Sequence, residues 1–166
     1  MVDIDQVISK RRIIYEGLFS FPELYKLIDE YFEELGYDKS ERRMTESIRE
    51  NGKFVEMNLD PYKFMTDYLR YRIHIKIVGE NIKEVEIEKE GRKIRLNKGK
   101  VTLIFDAYLE SDYEQRWEDK PLYYFLRVLY NKFIITSYIV THKNEVHKHC
   151  TDLMDSIKGF LNLYRY

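Results

Sequence analysis

The chain contains a single cysteine, Cys150, among 166 residues. One thiol cannot close an intramolecular disulfide, so burial and hydrogen bonding must hold the fold, and a reducing cytoplasmic setting is expected. Only three prolines and seven glycines are present, which excludes Pro-rich, collagen-like and flexible-linker segments. No run approaches the ~20 apolar residues that a membrane-spanning helix needs. The acidic opening Met1-Val2-Asp3-Ile4-Asp5 lacks the apolar centre of a secretory signal. An excess of one sign of charge is also missing. With 28 basic and 29 acidic residues the net charge is −1, so there is no global pull toward nucleic acid or an anionic membrane, and nucleic acid is not expected as a direct main partner.

What is present is a heavily ionic chain around an ordinary core. Charged residues are 34% and apolar residues 44% of the total. The length suits a single domain over 1–166. The clearest pattern runs from Tyr68 to Glu110. Leu69, Tyr71, Ile73, Ile75 and Ile77 alternate with Arg70, Arg72, His74 and Lys76. Side chains on a strand point alternately to opposite faces, so one face is apolar and one is wet. Val85 and Ile87, Ile94 and Leu96, and Val101, Leu103, Phe105, Ala107 and Leu109 repeat the alternation.

Turn signals divide this region into short hairpins. Gly79-Glu80-Asn81 is expected to face Ile75 with Val85 and Ile73 with Ile87, and to set Lys76, His74 and Arg72 against Glu84, Glu86 and Glu88. Glu90-Gly91 is expected to face Ile87 with Ile94 and Val85 with Leu96. Lys98-Gly99 is expected to face Leu96 with Val101 and Ile94 with Leu103. Upstream, Asn51-Gly52 marks a hairpin of Arg42–Glu50 with Lys53–Asp60, facing Met44 with Leu59 and Ile48 with Val55. Pro61 stops that strand, and Tyr62 to Thr66 reads as a connection.

A first strand is expected over Arg12–Phe19. Ser20, Pro22 and Glu23 then open a helix, and Gly36 closes it. After a polar stretch holding Trp117, Asp119 and Pro121 open a second helical region. Its first stripe is Leu122, Phe125, Leu126, Leu129 and Phe133. A second stripe follows at Ile139, Val146, Cys150, Leu153, Ile157, Phe160, Leu161 and Tyr164. One straight helix from Pro121 to Tyr166 would be ~70 Å long, against a radius of gyration of ~15 Å for a domain of this size. A break is therefore expected at Ile134-Ile135-Thr136, where β-branched side chains crowd a helix. Gly159 is a candidate for close approach of another backbone.

Catalytic and metal constellations are not found. His147 and Cys150 share one helix face and His142 and His149 another, so they do not converge on a metal and read as surface histidines plus a buried thiol. Asp106, Glu110, Asp112 and Glu114 cluster near the end of the last strand, with Asp106 on the exposed face opposite Phe105. No nucleophile elbow, phosphate-binding glycine loop or His-Glu-x-x-His occurs. No cofactor is implied. The remaining oddity is 15 tyrosines and nine phenylalanines, residues that favour cavities and interfaces.

The order strand, helix, six strands in hairpins and long C-terminal helix describes an α+β fold. Its curved antiparallel sheet has roughly seven strands, covered by the last helix. That order resembles the helix-grip arrangement of START-like lipid-transfer and polyketide-cyclase-like domains. The segments Glu16-Gly17-Leu18-Phe19, Glu84 through Lys93, Leu96-Asn97-Lys98-Gly99 and Pro121 through Tyr130 also resemble a small family of uncharacterised archaeal proteins. The helix-grip resemblance implies a non-enzymatic module that holds an apolar small molecule or lipid between sheet and helix. Its expected lining is Leu69, Tyr71, Ile73, Val85, Leu103, Phe105, Val146, Leu153 and Ile157. The alternative is an interaction protein, a homodimer or a ribosome-associated factor, that uses its tyrosine-rich helical surface.

Overall fold

A computed structural model describes residues 2–39, 43–111, 121–130, 132–133 and 136–163. The order is β1 (Asp3–Phe19), α1 (Phe21–Glu34), β2 (Arg43–Arg49), β3 (Gly52–Leu59), β4 (Tyr62–Phe64), β5 (Leu69–Lys89), β6 (Arg92–Ser111), α2 (Pro121–Tyr130) and α3 (Thr136–Asn162). All described strand pairs are antiparallel. The sheet is open, in the order β1-β6-β5-β3-β2, with β4 paired to β5. The expected α+β class with a C-terminal helix is therefore what forms. Among the described residues the sheet has six strands, against about seven expected, and several are far longer than anticipated. The stretch around Trp117, the residues Asp112 and Glu114, the pair Ile134-Ile135 and Tyr164 lie outside the described residues.

Two expected turns are strand interior. Leu69 to Lys89 is one strand through Gly79-Glu80-Asn81, and Arg92 to Ser111 is one strand through Lys98-Gly99. Ile75 therefore faces Phe105 rather than Val85, and Ile73 faces Ala107 rather than Ile87. Leu103 lies between Ile77 and Ile13, not opposite Ile94, and Val101 faces Gly79 rather than Leu96. The Glu90-Gly91 turn forms as expected, pairing Ile87 with Ile94 and Val85 with Leu96. The β2–β3 hairpin also forms, but its loop is Glu50-Asn51. Met44 thus meets Met57 instead of Leu59, and Ile48 meets Lys53 instead of Val55. Tyr62–Phe64, expected as a connection, is a short strand along β5.

The glycines have a different use from the one expected. The β5–β6 register slips by one residue between Glu80 and Lys83, and Asn81 adopts a left-handed φ of 54° there. This is a β-bulge, and it needs room on both sides. A Cβ on Gly99 would lie 2.9 Å from the carbonyl oxygens of Glu80 and Asn81, and a Cβ on Gly52 would lie 2.8 Å from the Asn81 carbonyl carbon. Both glycines thus admit the bulge from the neighbouring strands.

Side chains explain the two layers. Leu69, Tyr71, Ile73, Ile75 and Ile77 of β5 and Val101, Leu103, Phe105 and Ala107 of β6 have no exposed surface. The Ser20 hydroxyl accepts from the Glu23 amide at the start of α1, and Leu24, Ile28 and Phe32 then bury one helix face. Helix α3 buries His142, Val146, Cys150, Leu153, Met154, Ile157 and Leu161. These three surfaces form one continuous core. At ~25 cal/mol per Å² of apolar surface, each fully buried Leu, Ile or Phe contributes ~1.5–3 kcal/mol before chain entropy is subtracted. Gly159 is not at a close approach, since a Cβ there would meet nothing within 4 Å.

Among the described residues β1 lies at the edge of the sheet, and an edge strand of 17 residues invites pairing with other chains. It carries its own protection. Register shifts at Gln6/Ile8 and Ile8/Arg11 break its line, Lys10 sits at φ 46°, and Lys10, Arg11 and Arg12 place charge at the break.

Candidate functional site

Eight of the nine residues expected to line a ligand space meet in one place. Leu69, Tyr71, Ile73, Leu103, Phe105, Val146, Leu153 and Ile157 are all fully buried between sheet and α3. Val85 does not join them. The bulge adds one residue to β5, and a one-residue slip sends later odd-numbered side chains to the opposite face. Val85 is half-buried near the ribbon tip. A small pocket of about 30 Å³, room for one or two waters, lies elsewhere, under α1 against Ile28, Phe32, Asp38, Leu59 and Pro61.

Within the buried layer is a polar cluster that the alternation pattern hides. Tyr71 counts as apolar by its position on β5, yet its hydroxyl lies 2.8 Å from Glu145 Oε2 and also hydrogen-bonds His142 Nδ1. Glu145 Oε1 lies 3.9 Å from His149 Nε2. His149 Nδ1 is 3.0 Å from the Tyr37 hydroxyl, and the Tyr31 hydroxyl donates to the His149 carbonyl at 2.7 Å. Residues 142, 145 and 149 follow a three-then-four spacing, one face of a helix. His142 is 8% exposed and His149 is half-buried, so two of the histidines expected at the surface turn inward instead. Tyr138 closes the cluster from the first turn of α3, its ring 4.4 Å from His142.

Burial sets the proton affinities here. It pushes the Tyr31 hydroxyl up to about 12, with the charges of Asp152 and Cys150 adding to the effect. Tyr37 and Tyr71 are raised further, again mainly by burial, and Glu145 also contributes to both. Burial lowers His149, against the pull of Glu145. The Cys150 thiol, beneath α3, is pushed up to about 12 by burial, so it is an inert core group rather than a nucleophile.

The opposite face of the sheet carries a second cluster. Arg70, Arg72, His74 and Lys76 are neutralised by acids, as the sequence suggested, but by different ones. Arg70 Nε donates to Glu110 Oε2 at 2.6 Å, with Arg70 Nη2 on the same oxygen. Arg72 Nε lies 2.7 Å from Glu110 Oε1 but off the N–H direction, an ionic contact rather than a hydrogen bond. His74 meets Asp60 at 2.8 Å and Lys76 meets Glu56 at 3.3 Å. The expected partners Glu84, Glu86 and Glu88 sit past the bulge, facing Asn97, Arg95 and Lys93. Asp106 is 9% exposed rather than solvated. Its Oδ1 accepts from Gln6 Nε2 at 3.0 Å and from the Lys10 amide at 2.9 Å, holding the bulge in β1. That is a structural task.

The third feature is α2. Pro121, Leu122, Phe125, Leu126, Val128, Leu129 and Tyr130 are all exposed. Phe125 is 59% and Leu122 66% accessible. Phe133, Tyr138 and Val140 extend the apolar surface beyond it. No helix among the described residues is long and apolar enough to cross a membrane. No family model, curated protein or solved structure matches this chain.

Proposed function

We propose that this protein is a non-enzymatic interaction module that pairs with a second copy of itself through α2. The observation behind this reading is that every described side chain of α2 is exposed although nearly all are apolar. An apolar helix face left open to water is normally covered by something. Arg127 is the one charged residue between Pro121 and Tyr130, so the surface holds little charge pattern with which to select a foreign partner. An apolar helix is complementary to its own copy, and a two-fold contact pairs the same patch on both subunits. An antiparallel pair also opposes the two helix dipoles favourably. The net charge of −1 adds almost no repulsion between copies. Sedimentation at two concentrations tests this. The unaltered chain is expected to dimerise and Phe125→Asp with Leu129→Asp to remain monomeric; a monomer at both concentrations in the unaltered chain defeats the proposal.

A second reading is helix-grip-like, with an apolar ligand between sheet and α3. Element order and the position of α3 across the sheet favour it. Because the eight lining side chains are closed on one another, uptake requires α3 to lift. Saturable binding of a fluorescent lipid analogue, lost in Phe105→Asp, supports this reading, and absence of uptake removes it.

A further inference from the structure

The hydrogen bonds between α3 and its neighbours can be assigned proton by proton. Tyr71 has one hydroxyl proton and two partners, His142 Nδ1 and Glu145 Oε2. An ionised carboxylate only accepts. Tyr71 therefore donates to Glu145, and His142 Nδ1–H donates to the Tyr71 oxygen. His149 Nε2 faces Glu145 Oε1, so its N–H belongs on Nε2. His149 Nδ1 is then bare and accepts from the Tyr37 hydroxyl. This scheme is consistent with His149 neutral and Glu145 ionised.

An added proton disturbs it at one point. A proton on His149 goes to Nδ1 and sets donor against donor across Tyr37. The Tyr37 ring is 5% exposed and packed 5.1 Å from Phe32, which restricts its escape. The Tyr31 bond to the His149 carbonyl is unaffected by that event.

We propose that this network is a proton-operated latch, in which neutral His149 and ionised Glu145 clamp α3 to β5 and to the chain after α1, and acid loosens the clamp. The groups facing His149 come from every side. Tyr31 and Tyr37 approach from α1 and its exit, Lys63 from β4, Tyr71 from β5, and Glu145, Lys148 and Asp152 from α3 itself. Burial, Lys63 and Lys148 oppose the added proton, while Glu145 and Asp152 attract it; burial is the largest effect and the affinity is lowered. A histidine with a lowered folded value stabilises the fold fully above the ordinary ~6.5, and that contribution is lost as pH falls through the folded value.

Hydrogen exchange, corrected for the intrinsic pH effect, reads the latch directly. Between pH 7.5 and 5, α3 amides near Glu145 to Cys150 are expected to lose protection by about threefold or more relative to Leu103–Leu109 of β6. His149→Gln, which cannot gain the proton, is expected to keep the same α3-to-β6 ratio at both values. In the unaltered chain the His149 ring proton should titrate below ~6.5 by NMR, and Tyr37→Phe should raise that midpoint, since it removes the donor that favours the neutral ring. An acid response spread evenly over sheet and helix, an equal α3 response in His149→Gln, or His149 titrating at or above ~6.5 overturns the proposal. If His149→Gln does not fold, exchange and titration of the unaltered chain decide the matter.

Discussion

The β5–β6 ribbon is one pair of strands with two different ends. At its base, Leu69 to Ile77 face Leu103 to Ser111 across an unbroken ladder, and the odd-numbered β5 side chains have no exposed surface. At its tip, Val85 to Lys89 face Arg92 to Leu96 in an equally regular ladder, yet Val85 and Ile87 are only half-buried and Ile94 is exposed, with Leu96 alone of that set buried. The alternation of apolar and charged residues is as good in one half as in the other. The difference is what lies above: α1 and α3 cover the base, and the single extra residue at the Asn81 bulge turns the tip's apolar set to the other face. A strand's pattern shows that two faces differ, while burial depends on whether a second layer reaches them.

That contrast can be broken by substitution. Phe105→Ala, at the base under α3, should cost ~3–5 kcal/mol because it leaves a cavity in a closed layer; equilibrium urea unfolding measures it, and a loss below ~1 kcal/mol would show that the base is not tightly packed. Gly99→Ala, at the junction, should cost roughly 1–3 kcal/mol, since its methyl group would press on the backbone of the bulge. Unchanged stability there would mean that the bulge yields at no cost. Ile94→Ser, at the tip, should change stability by less than ~0.5 kcal/mol in the same assay. A loss comparable to that of Phe105→Ala would place the tip inside a packed layer after all.

Much of the architecture was legible. The face assignment of β5 from Leu69 to Ile77 and of β6 from Val101 to Leu109, the capped helix α1, the Glu90-Gly91 turn and the stripe of α3 all follow from local rules, because capping, turn chemistry and side-chain period act over a few residues. The strand lengths were not legible. A glycine inside an alternating run fits a turn and a bulge equally well, and Gly79, Gly99 and Gly52 were each assigned to turns. Gly17 held the missing signal. It had no role in the hairpin scheme, and in the sheet it faces Gly99 across β1 and β6.

The candidate sites show the same division. The apolar stripe of α2 follows from composition, but its exposure does not, since the same stripe would serve a buried helix. The Tyr71–His142–Glu145–His149 cluster was concealed for a specific reason. Tyrosine scores as apolar in a strand pattern, and the helix spacing of His142 and His149 places them on one face without saying that this face turns inward. Likewise Arg70 and Arg72 required an acid on their face, and alternation permitted either Glu84–Glu88 or Glu110. Only the register through the bulge selects Glu110.

The amino-acid order by itself determined that this chain makes a two-faced antiparallel sheet with a capped helix and an apolar C-terminal stripe, since each depends on neighbours a few residues apart. The three-dimensional fold decided which glycines turn and which make room, which acids meet which bases, and which tyrosines become hydrogen-bonding members of a buried network. Those outcomes depend on residues about 30 to 110 positions apart that touch only once the layers close, as Gln6 does with Asp106 and Tyr37 with His149.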